Sequence, residues 1–268
     1  MGPTAKPSRQ VGTKSEMGVN PCTLMAIGGV GYAPVVHGPR RISSGGRFDR
    51  SASRLGQLTG STHTNARQRA ELKVGVLAVQ GDFAEHIAVL RKLGVEANEV
   101  RLPQHLEKVD GLIIPGGEST TLSRLMSIYH LREPVTEMAR RKKAIWGTCA
   151  GMIMMAHEIT EEDPVPLGLM DIGVHRNAFG RQVDSFERDL EIEGFDPAPF
   201  HAVFIRAPVI IRVGRGVEVL ASLPDGSPVA VQEGQLLATA FHPELTKDTR
   251  FHRHFLSIIH KESPSPTE

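Results

Sequence analysis

A cysteine lies in a short turn between two apolar runs. The turn Gly147-Thr-Cys-Ala-Gly151 follows Ala144-Ile-Trp146 and precedes Met152-Ile-Met-Met155. This order is typical of a nucleophile elbow, a sharp strand-to-helix turn whose small residues let the backbone pass close by. Unpaired N–H groups at the start of the helix would favour the thiolate, which is the reactive form. We predict that Cys149 is a nucleophile, although the same pattern also suits a small buried apolar cysteine.

A cysteine nucleophile needs a base, and the base needs a group that holds its tautomer. The segment Ala240-Phe-His-Pro-Glu-Leu245 offers His242 for the first role and Glu244 for the second. In an extended segment residues two apart point to the same side, so we expect both side chains to face Cys149. Pro243 has no N–H group, which favours a strand end or a sheet edge.

The region from Leu72 alternates buried strands with helical patterns. A parallel, doubly wound sheet with helices on both faces follows from that rhythm, and we predict an α/β, flavodoxin-like, mostly parallel fold. Strands are predicted at 73–79, 97–100 and 111–114, and helices at 83–93, 121–128 and 134–141. The region 167–240 reads as a small antiparallel extension, with strands at 190–192, 202–205, 218–220 and 229–232.

The active site of such a sheet lies beyond the carboxyl ends of its strands. Three loops should therefore converge: Gln80-Gly-Asp82, Pro115-Gly-Gly-Glu-Ser119 and the turn around Cys149. Acyl transfer at a cysteine needs two N–H donors for the developing oxyanion. We predict that Gly117 and Ala150 supply them, although Gly116-Gly117 would also suit an ordinary tight turn.

Charge divides the chain into two parts. Residues 1–70 carry ten Lys and Arg against two acidic residues, whereas the remainder has a net charge of −7. The first part lacks sustained apolar periodicity, so we expect residues 1–71 to be a disordered basic leader. It could be dispensable or a misplaced start, a targeting segment or a nucleic-acid-binding arm. We expect one domain at 72–262 and a disordered tail at 263–268.

Two cysteines, one in each part, do not make a disulfide framework and fit a reducing, cytoplasmic setting. No apolar run is long enough to span a membrane. Histidines and acids show no metal-ligand spacing, so we expect no metal. His252-x-His254 is expected on the solvated face of a polar C-terminal helix, and the methionines Met152, Met154, Met155 and Met170 in the core.

Six segments resemble a known family. The turn at Cys149, the loop Pro115–Thr121 and the segment Phe241–Leu245 are similar to class I (triad) glutamine amidotransferases. Within that class, Leu77–His86 and the pair Arg176–Phe186 and Phe204–Pro208 resemble the glutaminase subunits of pyridoxal 5′-phosphate synthase. The resemblance covers residues 72–260, and the leader is the departure from it.

The resemblance implies hydrolysis of L-glutamine by a Cys149–His242–Glu244 triad through a thioester, with ammonia passing to a synthase subunit. It implies no cofactor and no nucleic-acid partner. A docking partner would reach Gln80. Glutamine would be held by residues from three segments, namely Gly117, Glu118, Ser119, Arg176, Ile205 and Arg206. Arg176 also has a physical rationale, because a guanidinium fork suits an α-carboxylate.

Three alternatives stay open. Another amidotransferase subunit with a different acceptor would lack the segments Arg176–Phe186 and Phe204–Pro208. A stand-alone cysteine hydrolase would have no use for a carboxylate clamp. A non-catalytic regulatory partner of the synthase would need a broken triad.

Overall fold

The computed structural model describes residues 72–176 and 185–260. Three parts of the chain lie outside these ranges: the expected leader at 1–71, residues 177–184 of the segment Arg176–Phe186, and the expected tail at 263–268. The described helices are α1 Phe83–Lys92, α2 Pro103–Leu106, α3 Ser119–Ile128, α4 Arg132–Arg140, α5 Ala150–Met155 and α6 Arg250–His260, and Pro243–Leu245 form a 3-10 turn.

The described strands belong to three sheets. In chain order they are β1 Lys73–Leu77, β2 Glu96–Val100, β3 Gly111–Ile114, β4 Ala144–Thr148, β5 Ala156–Ile159, β6 Met170–His175, β7 Phe186–Leu190, β8 Phe200–Phe204, β9 Val209–Val213, β10 Glu218–Ser222, β11 Pro228–Glu233 and β12 Leu236–Thr239. The seven-stranded sheet has the order β10-β11-β12-β4-β3-β1-β2.

Five adjacent strands of the large sheet are parallel. β1 pairs with β2 and β3, and β4 pairs with β3 and β12. The chain moves outward from β1 to β2, then returns past β1 to β3, β4 and β12, which is the doubly wound order of a flavodoxin-like fold. Near-continuous burial of β1, β3 and β4 fits a sheet covered on both faces. The predicted fold class is confirmed.

The antiparallel extension is present but larger than predicted. β10, β11 and β12 pair antiparallel at one end of the large sheet. A separate sheet, β5-β6-β9, was not predicted, because β5 follows α5 directly and its apolar start continues the helical pattern. The strand predicted at 190–192 was wrong in position, since β7 occupies Phe186–Leu190. The side chains Glu187, Arg188 and Asp189 of β7 are exposed, so no apolar alternation marks this strand.

The C-terminal helix α6 contradicts one expectation. It packs Phe251, Phe255 and Ile258 into the core, and His252 is fully buried rather than solvated. His254 is half-buried. Met152, Met154, Met155 and Met170 are core residues, as predicted. Within 72–176 and 185–260, none of the helices is both long and apolar enough to cross a membrane.

Candidate active site

Cys149 lies at the turn between β4 and α5 in a strained conformation. Its φ of 48° and ψ of −104° are outside the regions that non-glycine residues favour. The Cys149 N–H donates to the Thr239 carbonyl of β12 over 2.8 Å, which ties the turn to the neighbouring strand. Gly151 is required because a Cβ there would collide with the Ile114 carbonyl of β3. These contacts give the sharp turn that a nucleophile elbow needs.

His242 follows β12 and enters the same end of the sheet. Its N–H donates to the Val203 carbonyl of β8 over 2.9 Å, and its side chain is only 3% exposed. The imidazole Nδ1 is 2.7 Å from Oε1 of Glu244, whose side chain is fully buried. Gly116 passes directly beneath the ring, so a Cβ at that position would collide with the imidazole.

The local structure at His242 differs from the prediction. Pro243 and Glu244 belong to the 3-10 turn Pro243–Leu245 rather than to an extended segment. Strand alternation therefore does not bring Glu244 to His242. The tight turn folds the carboxylate back onto Nδ1 instead, and the missing N–H of Pro243 suits the first position of a helical turn. The sequence located both side chains, but by the wrong local geometry.

The charges of these side chains are coupled. Burial alone would lower the pKa of His242, but its interactions with Cys149 and Glu244 raise that pKa to about 10. Burial raises the pKa of Glu244, and the hydrogen bond with His242 opposes that rise. The raised pKa means that these interactions stabilise the protonated imidazole, the imidazolium. The arrangement thus favours an imidazolium between a carboxylate and a cysteine sulfur.

A cleft of 290 Å³ opens at this point. Its size is near the lower end of the range of small-molecule sites, about 300–1,000 Å³. Its lining includes nine of the residues singled out from the sequence, namely Gly117, Glu118, Ser119, Cys149, Ala150, Arg176, Ile205, Arg206 and His242. Glu244 lies behind His242. A larger cavity of 680 Å³ around Glu191 and Asp196 is lined by no cysteine or histidine, so the chemistry belongs to the smaller cleft.

Glu118 and Arg176 form one unit in the cleft wall. Glu118 begins α3 by accepting the N–H groups of Thr120 and Thr121. Its Oε1 also accepts from Nη2 of Arg176 over 2.9 Å, while Nη1 of Arg176 donates to the Asp163 carbonyl over 2.8 Å. Burial would raise the pKa of Glu118, but the hydrogen bonds from Thr121 and Thr120 and the charge of Arg176 lower it. The guanidinium is therefore fixed before any ligand arrives.

Gln80 lies against the glycine loop after β3. Its Oε1 accepts the Glu118 N–H over 3.1 Å, and a Cβ on Gly117 would lie 2.6 Å from the Gln80 amide. Gly117 has a φ of 138°, where a side chain would be strained. Nε2 of Gln80 is buried and has no hydrogen-bond partner within the described ranges. Gln80 thus contacts the peptide that would carry one oxyanion donor.

Asp82 and Ile153 also line the cleft and were not singled out as site residues from the sequence. Asp82 Oδ2 is 3.4 Å from Nδ1 of His242. Asp82, His242 and Glu244 place one ligand atom each within 4.8 Å of one another, a cluster that sequence spacing did not reveal. The 2.7 Å distance between His242 and Glu244 is typical of a charge-assisted hydrogen bond. We therefore interpret the cluster as a hydrogen-bonded group rather than as a metal site.

Comparisons with known proteins agree on one family. A model described as the SNO glutamine amidotransferase family matches residues 76–261. The pyridoxal 5′-phosphate synthase subunit PdxT of Dehalococcoides mccartyi is 55% identical over 189 residues, which are 70% of this chain and 97% of the relative. The protein of that name from Herpetosiphon aurantiacus is 58% identical over 190 residues, 70% of this chain and 100% of the relative.

A solved structure supports the same grouping. It is described as a crystal structure of a glutamine amidotransferase, and it is 53% identical to this chain with a TM-score of 0.66. The match covers 70% of this chain and 98% of that one. The described part of this chain thus matches the solved amidotransferase over almost the whole length of that protein.

Proposed function

The chain belongs to the SNO glutamine amidotransferase family, and from that premise we propose that Cys149, His242 and Glu244 are the triad that hydrolyses L-glutamine to glutamate and ammonia. The ammonia would pass to the synthase subunit of a pyridoxal 5′-phosphate synthase. The observation that carries the proposal is the strained Cys149 at one cleft with His242, whose Nδ1 lies 2.7 Å from Glu244.

In the first half of the reaction, the Cys149 thiolate attacks the side-chain amide carbon of glutamine. The carbonyl oxygen becomes an oxyanion, and the N–H groups of Gly117 and Ala150 are its proposed donors. His242 gives its proton to the amide nitrogen, the C–N bond breaks and ammonia leaves. The γ-glutamyl group remains on Cys149 as a thioester.

In the second half, His242 removes a proton from water, and the hydroxide attacks the thioester. The C–S bond breaks, glutamate leaves and the thiolate returns. Glu244 holds the imidazole through Nδ1, so that Nε2 is the nitrogen available to both reacting groups. The raised pKa of His242 fits a resting imidazolium that is ready to protonate the leaving group.

Substrate recognition rests on the other side of the cleft. We assign the α-carboxylate of glutamine to Arg176, because Glu118 and the Asp163 carbonyl fix its guanidinium. Ser119 and the Ile205–Arg206 segment complete the proposed binding surface. Arg206 has a φ of 45°, an unusual conformation for a non-glycine residue and one that is often found at functional sites.

The acceptor of ammonia is proposed from the relatives. The PdxT proteins that match at 55% and 58% identity are named as subunits of pyridoxal 5′-phosphate synthase. The match covers 97% and 100% of their lengths, so it includes the regions that distinguish this subunit from other amidotransferases. We therefore favour a synthase partner over an amidotransferase complex with another acceptor.

We predict that the isolated chain is nearly inactive and that the partner activates it. The contact between Gln80 and Gly117 gives a partner that reaches Gln80 a way to set the orientation of the oxyanion peptide. Loss of one such donor costs about 10²–10³ in rate, so a change of that size is expected on docking. The measurement is kcat for glutamine hydrolysis by the chain alone and with saturating synthase subunit. Equal values would favour a stand-alone amidase.

A further inference from the structure

A buried histidine lies behind the proposed triad. His86, on α1, is fully buried, and its Nε2 is 3.3 Å from Oε2 of Glu244 and 3.3 Å from Oγ1 of Thr148. The direction of the contact suits Thr148, and no donor within the described ranges is aligned on Oε2 of Glu244. The contact with Glu244 is therefore mainly electrostatic. The outer carboxylate oxygen of the triad faces the edge of a second imidazole.

His252 supports His86 from the far side. Its Nε2, on α6, is 3.1 Å from Nδ1 of His86, and its side chain is fully buried. Burial lowers the pKa of His252 to about 3. The pKa of His86 is also well below its usual range, because of burial first and then the charges of His252 and His242. Both imidazoles are therefore neutral, and each carries a single N–H.

The hydrogen bonds favour one tautomer for this pair. If His86 carries its proton on Nδ1, its Nε2 lone pair faces the Glu244 carboxylate and His252 must bury an N–H on its other nitrogen. That nitrogen, Nδ1 of His252, has no partner within the described ranges. If His252 donates from Nε2 instead, His86 receives on Nδ1 and presents an N–H to Glu244 and Thr148. The second arrangement avoids both the repulsion and the buried unpaired donor.

We propose that His86 is a positioning residue for the reaction, and that it fixes Glu244 by presenting an N–H edge to Oε2 while His252 sets its tautomer. This inference rests on the proposed function, because it acts through the triad member Glu244. A neutral donor leaves the negative charge of the carboxylate for His242. A charged imidazole at the same place would compete with His242 for that charge.

Aromatic packing against Trp146 holds the His86 and His252 rings in place. The His86 and His252 rings lie edge-on to Trp146, with centroid distances of 5.5 and 4.9 Å. Trp146 donates its own N–H to Thr239 over 3.3 Å, so it does not compete for either imidazole. β4, α1 and α6 each contribute one ring. The position of Glu244 thus depends on these three elements, which pack together behind the cleft.

The tautomer is tested on the unsubstituted full chain by NMR of ¹⁵N-histidine-labelled protein. The chain has twelve histidines, and His86→Gln and His252→Gln spectra assign the two signals. We expect His86 to be neutral with its proton on Nε2, and His252 to be protonated on Nε2. A proton on Nδ1 of His86, or a doubly protonated ring, would overturn the proposal.

The positioning role is tested by glutamine kinetics at saturating synthase subunit. We expect His86→Leu to lower kcat about 10- to 100-fold, because the buried Glu244 carboxylate loses the polar N–H edge that faces it, with KM for glutamine within about twofold. His86→Gln keeps an N–H donor and should recover most of kcat. A rise in KM equal to the loss in kcat would contradict this role. So would a His86→Gln variant whose kcat is as low as that of His86→Leu.

A second background separates this inference from the proposed function. In Glu244→Ala protein, His86→Leu should cost no further activity, because His86 acts through Glu244. An equal loss in both backgrounds would make His86 merely structural and overturn the inference alone. A Glu244→Ala variant with unchanged kcat would instead refute the triad, and the role of His86 with it. Thermal midpoints of all variants identify any that fail to fold.

Discussion

Single residues at this cleft are held in geometries that they would not adopt alone. Cys149 has a φ of 48°, a conformation that costs about 1–3 kcal/mol and persists only where the surrounding structure imposes it. The Thr239 carbonyl and the close approach of Gly151 to β3 impose it here. Arg176 is likewise fixed by Glu118 and the Asp163 carbonyl. Such preorganisation reduces what must be ordered when glutamine binds.

At Arg176 we predict that Arg176→Ala raises KM for glutamine about tenfold or more and lowers kcat less. A carboxylate clamp acts in the ground state and the transition state alike, so its loss weakens uniform binding. Arg212→Ala is the matched control, because the Arg212 guanidinium is likewise fixed by two hydrogen bonds, to the carboxylates of Glu158 and Asp171, and does not line the cleft. An unchanged KM in Arg176→Ala would remove this residue from the site.

At the scale of elements, three parallel strands place the reacting groups. Cys149 directly follows β4, β12 leads to His242, and the loop after β3 brings Gly116 beneath the imidazole. β3, β4 and β12 are neighbours in the sheet, so their carboxyl ends meet at one edge. The site thus depends on register between strands that are distant in sequence.

We expect Gly116→Ala to lower kcat at least about 100-fold, because the added Cβ would displace the His242 ring and misplace its proton. Gly94→Ala is the control for a general loss of stability. Gly94 has a φ of 79° and open space around it, so alanine there is strained but remote from the site. The check is kcat and thermal midpoint for both variants. Activity in Gly116→Ala that equals that of Gly94→Ala would show that the ring tolerates the methyl group.

Much of this arrangement could be predicted from the sequence, because the parallel part of the fold follows from local residue patterns. The strand predicted at 111–114 has the observed bounds, and the neighbouring helices begin and end within two residues of their predictions. Four of the nine cleft residues named from the sequence, Cys149, His242, Gly117 and Ala150, came from local signals such as glycine turns and a cysteine between apolar runs. The other five came from the family resemblance, to which Arg176 adds the fit of a guanidinium to a carboxylate. The antiparallel part was harder, because β7 is exposed and shows no apolar alternation.

The groups behind the cleft could not be predicted, because they depend on contacts between distant segments. His86 looks like an ordinary position on an amphipathic helix, and only the fold brings it to Glu244 and His252. His252 looked solvated because its neighbours Arg253 and His254 are polar, yet its own face of α6 is buried. Sequence periodicity assigns a residue to a face, but it does not say what that face contacts.

At the scale of the whole molecule, the charge of the chain is divided. Residues 1–70 have a net charge of +8, and the rest, which includes every described residue, has −7. All the proposed catalytic and binding residues lie in the second part. We therefore propose that the amidotransferase domain, expected at 72–262, works without the basic segment.

Removal of residues 1–70 should leave both glutaminase activity and the thermal midpoint within error of the full chain. The composition of this segment offers too little apolar surface to contribute a packed core. Both quantities are measured with saturating synthase subunit for the full and shortened chains. A clear fall in either would show that the segment docks on the domain.

The central claim, that Cys149 is the nucleophile of a glutaminase, is tested most directly by kcat of Cys149→Ser with saturating synthase subunit. Cys22→Ser is the matched control, because Cys22 is the other cysteine of the chain. A serine hydroxyl is a poor nucleophile where a thiolate is needed, so we predict a loss of several decades, while Cys22→Ser keeps full activity. More than about a tenth of the original turnover in Cys149→Ser would contradict the account, because loss of a nucleophile normally costs far more.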